Sequence, residues 1–528
     1  ITGESITGVT PSSGTSTTFD ITVNTGTGDG TLRLDVLAAA TIEDVAGNDY
    51  AATFNTGQTY IIDKTAPDVT SVNRLTPTGQ NTNAASVTWR VTFSGDIDAT
   101  TVSAADFTLT DGGSGITGES VTGVTPTSGT ATVFDVTANT GTGDGVLRLD
   151  VLPAATISDP IGNDYNQTFN TGQTYIIDRT GPTVTAVLRQ TPATQTINNA
   201  SVTWRVSFNE DINASTVQDA DFTVTVVSGS ITGESVTGVA QVNSTTWDVT
   251  ASTGSGDGTL RLDVLPAATI EDPIGNDYNS TYNTGQTYII DKTPPQVTAV
   301  IRQVPTTQTI NLSAVTWRVF FNEAPSAATV QDADFTLTDV SSTITGESIT
   351  GVAQVNATTW DVSANTGTGS GTLRLDVLPA ATITDSLGND YNTTFNTGQT
   401  YIIDKTGPTV TINQATSQDD PSNNASILFT IVFNESVLGF ATGDVNTSAS
   451  TTPGALTGNV FEIAPFNNTT FQVSVSGMTG SGNVIVSIDA AVATDVAGNA
   501  SSASTSTDNV VEYDVILPAA TSLVRLSP

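Results

Sequence analysis

Apolar and polar residues alternate over short stretches of this chain, and these stretches are separated by residues that favour turns. The clearest stretch is residues 86–93, where one face is formed by Val87, Trp89, Val91 and Phe93. Polar residues lie between them, and this period of two is typical of a half-buried β-strand. Glycine, asparagine and threonine cluster between such stretches and predict tight turns.

Within residues 64–178 the same pattern predicts seven short strands. They are Val69–Val72, Ser86–Phe93, Phe107–Thr110, Glu119–Val124, Val133–Thr137, an alternating segment with Leu147, Leu149 and Val151, and Thr174–Asp178. Residues 96–105 are interpreted as a loop with one helical turn, and no long helix is predicted. Short strands with frequent turns indicate an all-β fold, a β-sandwich of immunoglobulin-like type.

The pattern recurs along the chain at the length of a whole domain. The motif I-T-G-E-S-[IV]-T-G-V begins at Ile1, Ile116, Ile231 and Ile344. This spacing predicts tandem domains in an extended string, because solenoid units are only about 20–50 residues long. The predicted repeats are 64–178, 179–291, 292–404 and a divergent repeat at 405–515. Residues 1–63 match the second half of a repeat, and residues 516–528 match the first strand of another.

The two partial repeats allow two interpretations. In the first, they belong to repeats that continue beyond the sequence given, and this is the expectation. In the second, half-domains complete each other between molecules by strand exchange. The second interpretation is weaker, because residues 519–528 could supply one strand whereas residues 1–63 lack several.

The chain is strongly acidic throughout its length. It contains 52 acidic and 15 basic residues, and its formal net charge is −37. Nucleic acid and anionic membranes are therefore not expected partners, whereas divalent cations are. The absence of cysteine and histidine excludes disulfides, zinc sites and histidine acid–base catalysis. No apolar run reaches the ~18 residues that suggest a membrane-spanning helix.

Each repeat ends in a short segment with an aspartate, a basic residue and a proline. We call residues 63–67, 178–182, 291–295 and 404–408 the first, second, third and fourth joints. An acidic loop of pattern D-x-x-G-N-D precedes each joint, and its oxygens suit Ca²⁺, which takes about six to eight oxygen ligands. The predicted calcium ligands are Asp44, Asn48, Asp49 and Asp63; Asp159, Asn163, Asp164 and Asp178; Asp272, Asn276, Asp277 and Asp291; and Asp385, Asn389, Asp390 and Asp404.

Two alternatives to these sites stay open. The D-x-x-G-N-D pattern is also good turn chemistry, because aspartate and asparagine side chains bond to their own backbone. A metal-free turn therefore explains the loops equally well. A second and weaker acidic cluster could form from Glu210, Asp211, Asp219 and Asp221, near the other end of a domain.

The tryptophans and lysines bear on two further kinds of site. Trp89, Trp204 and Trp317 share one inward strand position, and Trp247 and Trp360 stand where earlier repeats have Phe19 and Phe134. The exchange of Trp for Phe favours core packing over an exposed sugar-binding platform.

All lysines lie in joints, at Lys64, Lys292 and Lys405. This placement rules out a Lys–Asn isopeptide bond in a domain core.

Four motifs together resemble the tandem bacterial Ig-like domains of large secreted adhesins. They are the K-T-[AGP]-P joint, the S-V-T-W-R-V-x-F strand, the D-x-x-G-N loop and the T-Y-I-I-D closing strand. The resemblance extends over essentially the whole chain. The resemblance implies an extracellular or cell-surface location and repeats made rigid by calcium. The divergent repeat departs most, since it keeps Phe433-Asn434-Glu435 but loses the tryptophan.

These observations predict a structural and adhesive repeat region, an extended and calcium-rigidified stalk of a bacterial surface adhesin. Its expected partners are neighbouring repeats and possible host or surface glycans or proteins. An enzyme is not expected, because no acidic motif lies in an insertion that breaks the repeat. One alternative is a subunit of an extracellular filament, sheath or surface layer. Another is a glycan- or protein-binding module in the divergent repeat, where Phe440, Phe461 and Phe466 depart from the common pattern.

Overall fold

The structure of the chain is a computed structural model that describes residues 1–12, 17–113, 115–127, 132–153, 155–522 and 524. The chain forms two compact units. The first comprises Ile1–Gln195, Ala200–Gly254 and Thr259–Tyr288, and the second comprises Thr196–Asn199, Ser255–Gly258 and Ile289–Pro528. The repeat boundaries read from the sequence stay a prediction. Among the described residues, no helix has the length and apolarity needed to cross a membrane.

Nearly all regular structure is β. The first strands are β1 (Ser5–Pro11), β2 (Phe19–Asn24), β3 (Gly30–Arg33), β4 (Thr59–Ile62), β5 (Val69–Thr76), β6 (Asn81–Thr82), β7 (Ser86–Phe93), β8 (Phe107–Thr110), β9 (Ser120–Pro126), β10 (Val133–Asn139), β11 (Gly145–Val151) and β12 (Thr174–Ile177). Next come β13 (Val184–Thr191), β14 (Thr196–Ile197), β15 (Ser201–Phe208), β16 (Phe222–Gly229), β17 (Thr232–Asn243), β18 (Thr246–Ser255), β19 (Gly258–Val264) and β20 (Tyr288–Ile290).

The remaining strands occur in a similar order along the chain. They are β21 (Val297–Val304), β22 (Thr309–Ile310), β23 (Ala314–Phe321), β24 (Phe335–Asp339), β25 (Ser348–Asn356), β26 (Thr359–Asn365), β27 (Gly371–Val377), β28 (Tyr401–Ile403), β29 (Val410–Gln414), β30 (Ser426–Phe433), β31 (Val445–Asn446), β32 (Gly454–Glu462), β33 (Thr470–Met478), β34 (Gly482–Ile485), β35 (Ser487–Ile488) and β36 (Val510–Tyr513). The helices of the described residues are single 3₁₀ turns, at Ala104–Asp106, Asp219–Asp221, Asp332–Asp334 and Thr442–Asp444.

In the first unit, residues 64–178 form two four-stranded sheets. Their strand orders are β5-β7-β10-β9 and β6-β12-β11-β8. Neighbouring strands are antiparallel, except that β6 runs parallel to β12. A further sheet of the first unit has the order β13-β15-β18-β17. Residues 1–63 contribute two two-stranded sheets, β1-β2 and β3-β4.

In the second unit, residues 292–404 repeat this topology. The strand orders are β21-β23-β26-β25 and β22-β28-β27-β24. The divergent repeat keeps the first type of sheet as β29-β30-β33-β32 and adds the pairs β31-β35 and β34-β36. Residues 516–522 and Val524 contain no strand, and residues 523 and 525–528, on which the predicted further strand partly falls, lie outside the described residues. The chain is thus all-β, with tandem immunoglobulin-like β-sandwiches, as predicted.

The inward faces of the sheets meet around a buried tryptophan. Trp89, Trp204 and Trp317 have no exposed surface. Each indole packs edge-on against a buried tyrosine, with ring centroids 5.0 Å apart, in the pairs Trp89–Tyr175, Trp204–Tyr288 and Trp317–Tyr401. Each indole N–H also donates to a backbone carbonyl, so its polar atom is satisfied. The predicted core role of these tryptophans is confirmed.

The outward face of the same strands carries an arginine directly after each tryptophan. Arg90, Arg205 and Arg318 donate paired hydrogen bonds of 2.8 and 2.9 Å to an aspartate on the adjacent strand, at Asp135, Asp248 and Asp361. Cross-strand ion pairs of this kind fix the register of the two strands. The Trp-Arg dipeptide therefore marks both faces of the central strand.

Candidate metal centres at the joints

Two hydrogen bonds hold the residue that directly follows each joint. At the third joint, the Asn322 side-chain oxygen accepts the N–H of Gln296 at 2.6 Å, and the Asn322 N–H donates to the Gln296 carbonyl at 2.9 Å. The same clamp recurs as Asn209–Thr183, Asn434–Thr409 and Ser94–Asp68. Because the clamp residue directly follows the strand that carries the tryptophan, or Phe429 in the divergent repeat, the residue after it is held beside the joint.

The acidic loop is closed by its own aspartate. Asp385 accepts the N–H groups of Leu387 and Asn389 at 2.8 and 2.9 Å. The Asn389 amide donates to Asp385 at 2.8 Å and to the carbonyl of Asp291 at 3.1 Å. This asparagine therefore ties its loop to the end of the preceding repeat. Asn163, Asn276 and Asn499 make the same bond to the carbonyls of Asp63, Asp178 and Asp404.

Three carboxylates meet at each of three joints. The triads are Asp178, Glu210 and Asp272 at the second joint, Asp291, Glu323 and Asp385 at the third, and Asp404, Glu435 and Asp495 at the fourth. In each triad, one oxygen from every residue lies within 4.8 Å of the others. The loop aspartate is buried and the other two residues are half-buried. Among the described residues, Oε1 of Glu323 is buried and has no hydrogen-bond partner.

The joints differ in how many acids surround them. At the second joint, Asp144 holds the linker by accepting the Arg179 N–H at 2.6 Å, and Asp257 does the same for Lys292 at the third. The fourth joint has Ser370 at this position, bonded to the Lys405 N–H at 2.9 Å. The first joint has Asp63 and Asp159 but Gly95 where the others have glutamate. At the first joint, Asp29 accepts the Lys64 N–H at 2.5 Å, as Asp144 and Asp257 do at theirs. The second and third joints therefore have four acids each, and the first and fourth have three.

The predicted calcium sets need regrouping. By their order in the chain, Asp159, Asn163 and Asp164 are predicted to share a site with Asp178, which follows them. In the structure, Asn163 bonds to Asp63, whereas Asp178 lies beside Asp272. The reason is that β12 carries the chain from the loop to the opposite end of the sandwich. The other predicted sets change in the same way. Asp272 and Asn276 lie beside Asp178 instead of Asp291, and Asp385 and Asn389 lie beside Asp291 instead of Asp404. The Asp44–Asn48 loop is separate from Asp63.

Other predicted ligands have structural partners instead. The side-chain oxygens of Asn276 and Asn389 accept hydrogen bonds from Asn83 and Asn198 at 3.2 Å, so these amides act as fasteners. Asp49, Asp164, Asp277 and Asp390 are exposed, and each forms a backbone bridge across its loop. From the second predicted cluster, Glu210 joins the joint, whereas buried Asp221 accepts the N–H groups of Gln218 and Thr269 at 2.6 Å.

The glutamates of the triads were missed as joint residues. The signal was present, because Phe-Asn-Glu recurs at residues 208–210, 321–323 and 433–435, and the first complete repeat has Phe-Ser-Gly instead. Nothing in the sequence shows that the end of the tryptophan strand lies beside the acidic loop. The asparagine clamp supplies that contact in the folded chain.

Burial and like charge act together on the triad glutamates. Burial raises the pKa of Glu323, and the charges of Asp291 and Asp385 raise it further. Burial and neighbouring carboxylates likewise raise the pKa values of Glu210 and Glu435. A bound dication would remove this repulsion and would occupy the free oxygen of Glu323. The donor set of three carboxylates therefore fits Ca²⁺, with Asp, Glu and Asp as its ligands.

In calcium-free buffer, we expect Glu323→Gln to raise the free energy of unfolding at about pH 7, because it removes a charge that burial and like charges disfavour. The raised pKa of Glu323 means that the stabilisation by its proton is complete below the ordinary glutamate pKa of 4.5 and is lost as pH rises through the raised value. The free energy of unfolding of the parent should therefore rise relative to that of the variant as the pH falls. The effect is small because the group is partly solvated.

Urea unfolding of both proteins at a series of pH values measures this difference. Glu347→Gln, which removes one negative charge outside the triads, is the matched control. A Glu323→Gln protein that is less stable than the parent at neutral pH without calcium contradicts the expectation.

The divergent repeat was predicted as the alternative binding module because of its extra phenylalanines. Phe440 packs in the core, with ring centroids 5.1 Å from both Phe433 and Phe471. Phe461 and Phe466 are 45% and 70% exposed. Phe461 and Phe466 are therefore more accessible to a ligand than Phe440, which is partly buried.

Comparisons with known proteins give structural likeness without a family. No protein-family model and no curated protein matches the chain. It is similar in structure to FdeC, an Escherichia coli adhesin, at 11% identity and a TM-score of 0.27, over 63% of this chain and 99% of that one. It is similar to surface layer protein SbsC, domains 1–6, at 13% identity and a TM-score of 0.20, over 84% and 54%. It is also similar to InvD of Yersinia pseudotuberculosis at 15% identity and a TM-score of 0.24, over 64% and 86%.

Proposed function

We propose that the chain is a structural repeat region of an extracellular, cell-surface protein, and that calcium bound at its joints stiffens a stalk. The observation that supports this most is the recurrence of one Asp–Glu–Asp triad at three joints. Each triad takes one residue from the end of a repeat and two from the repeat that follows. An ion held by all three would link the two repeats directly.

The contribution of calcium follows from what holds a joint without it. Asparagine side chains make three hydrogen bonds across the third joint: Asn389 donates to the Asp291 carbonyl at 3.1 Å, and Asn198 donates to the Leu387 carbonyl at 2.8 Å and to the Asn389 side-chain oxygen at 3.2 Å. These bonds are opposed by three carboxylates whose charges repel one another. Calcium would convert that repulsion into attraction at the same atoms. The joint is thus suited to be mobile without the ion and fixed with it.

A catalytic role is not part of this proposal. The triads recur with the repeat, and each lies where two repeats meet, which is the position that a structural ion needs. The adhesive role and the bacterial surface location rest on the sequence resemblance alone.

Small-angle X-ray scattering of the full chain tests the calcium-stiffened stalk. With about 1 mM Ca²⁺, at the weak end of the range of extracellular calcium modules, we expect a long and rigid particle. Chelation should shorten the maximum dimension and increase the flexibility. Sodium chloride of matched ionic strength controls for charge screening. An unchanged scattering profile would contradict calcium binding at the joints. A compact particle in both conditions would contradict the stalk.

A further inference from the structure

An apolar groove lies beside the fourth joint, within the second unit. It is an open cavity of about 380 Å³, lined by residues of the segments 305–312 and 494–498 and by Leu438. Its walls include Leu312, Leu438 and Val496, which are 47%, 52% and 64% exposed. The groove lies between the predicted repeats 292–404 and 405–515, and both of these are complete in this chain. Clustered aliphatic side chains of this kind mark interaction sites.

The two leucines of the groove are specific to the fourth joint. The Leu438 N–H donates to the carbonyl of the residue before the acidic loop, and at the first, second and third joints the same bond comes from Asp98, Asn213 and Ser326. Leu312 stands where the two preceding repeats have Ala84 and Asn199. Polar or small residues at the other joints are thus replaced by leucine at this one. The fold does not need leucine at either position.

An asparagine in the groove lacks the partner that its counterparts have. The amides of Asn83 and Asn198 donate to Asn276 and Asn389 at 3.2 Å. Asn311 holds the same position at the fourth joint, and its side chain makes no hydrogen bond to the residues that the structure describes. Asn311 lines the groove, so it offers a donor and an acceptor to a ligand there.

An open strand edge lies along the same groove. Thr309 and Ile310 line the groove and form β22, whose one neighbour among the described strands is β28. The carbonyls of Gln308 and Ile310 accept hydrogen bonds from β28 and the residue after it, so the backbone of Thr309 faces away from the sheet. An edge of this kind can pair with a further extended chain.

We propose that this groove binds an extended peptide segment that carries aliphatic side chains and at least one basic residue. The edge of β22 pairs with the peptide backbone, the leucines contact its aliphatic side chains, and Asn311 bonds to a peptide group. The basic residue follows from charge complementarity, because Asp495 lines the groove, no basic residue is among the described residues that line it, and the net charge of the chain is −37. The same charge disfavours a second copy of this chain as the occupant.

Fluorescence anisotropy of the full chain with labelled heptapeptides tests this inference. The probes alternate leucine, isoleucine or valine with threonine and carry one arginine, and a matched set carries glutamate in its place. The buffer contains a chelator, so the outcome does not depend on calcium. We expect arginine peptides to bind with Kd below about 1 mM, and their glutamate counterparts to bind at least about tenfold more weakly. The bound peptide should slow hydrogen exchange at Thr309 but not at Thr196 of β14.

A variant with Leu312→Asn and Leu438→Ser places in the groove the residues that the third joint has, so it is expected to fold. It should bind the peptides at least about tenfold more weakly than the parent. The matched control replaces Leu265 by Asn and Leu378 by Ser, since these leucines are 40% and 39% exposed and do not line the groove. This control should bind as the parent does.

Three results would overturn the inference. The first is that no arginine peptide binds, and the second is that the groove variant and the control bind equally well. The third is a dimer of the parent, detected by sedimentation, that the groove variant no longer forms. That result would show that a second copy of the chain fills the groove.

Discussion

Trp317→Ala is expected to lower the free energy of unfolding of its sandwich by about 3–5 kcal/mol. The indole is fully buried between the two sheets, stacks edge-on with Tyr401 and donates to the Gln399 carbonyl at 2.9 Å. Truncation leaves a large cavity and also leaves that carbonyl without its donor. Differential scanning calorimetry of the full chain should show that one transition moves to lower temperature while the others stay in place.

Ile402→Ala is the matched control for this loss. Ile402 lies next to Tyr401 on β28 but points outward and is 38% exposed. Its truncation is expected to cost less than about 1 kcal/mol, because little apolar surface returns to water. Equal losses for the two variants would mean that the tryptophan does not organise the core.

The second large effect concerns calcium. Replacing Glu210, Glu323 and Glu435 together by glutamine is expected to weaken calcium binding at the second, third and fourth joints by at least about tenfold, or ~1.4 kcal/mol per site. Each substitution removes one of the three carboxylates of a triad and keeps the side-chain volume. Isothermal titration calorimetry of the parent should find three sites, and scattering of the variant should no longer respond to calcium.

The control for lost charge replaces Glu119, Glu347 and Glu512, which lie outside the triads, by glutamine. This protein should bind calcium as the parent does, and an equal loss would assign binding to the general acidic field. A complementary variant is Gly95→Glu, which supplies the missing glutamate at the first joint. A side chain has room there, since no atom lies within 4 Å of the added Cβ. We expect a fourth site in that variant.

Much of the fold follows from local pattern. The bounds of β7 and β8 were predicted as observed, because alternation alone defines a strand that is buried on one face. The two-residue strand β6 was missed. Asn81 and Thr82 carry no apolar pattern, and they become a strand only through parallel pairing with Ile176 and Ile177. This repeat therefore has eight strands, one more than the seven predicted.

Most aspartates of the candidate site are in the predicted sets, but its glutamates and its grouping were missed. Asp178 and Asp272 are both in the predicted sets, yet they were assigned to different sites, because chain order was taken as a guide to proximity. The asparagines were predicted as ligands since the sequence shows their oxygen but not its partner. In the structure, that oxygen on Asn276 accepts from Asn83. Such long-range partners depend on how successive repeats meet.

The unequal number of acids at the joints has a mechanical consequence. If calcium fills them by charge, the second and third joints, with a fourth carboxylate from Asp144 or Asp257, should saturate at lower concentration than the fourth, which has Ser370. The first joint has Asp29 at the fourth position but Gly95 in place of the glutamate, so its triad is incomplete and it should fill last. Local persistence length would then be graded along the chain. Under a lateral force, the chain would bend first at its first joint, because that joint would be the most flexible.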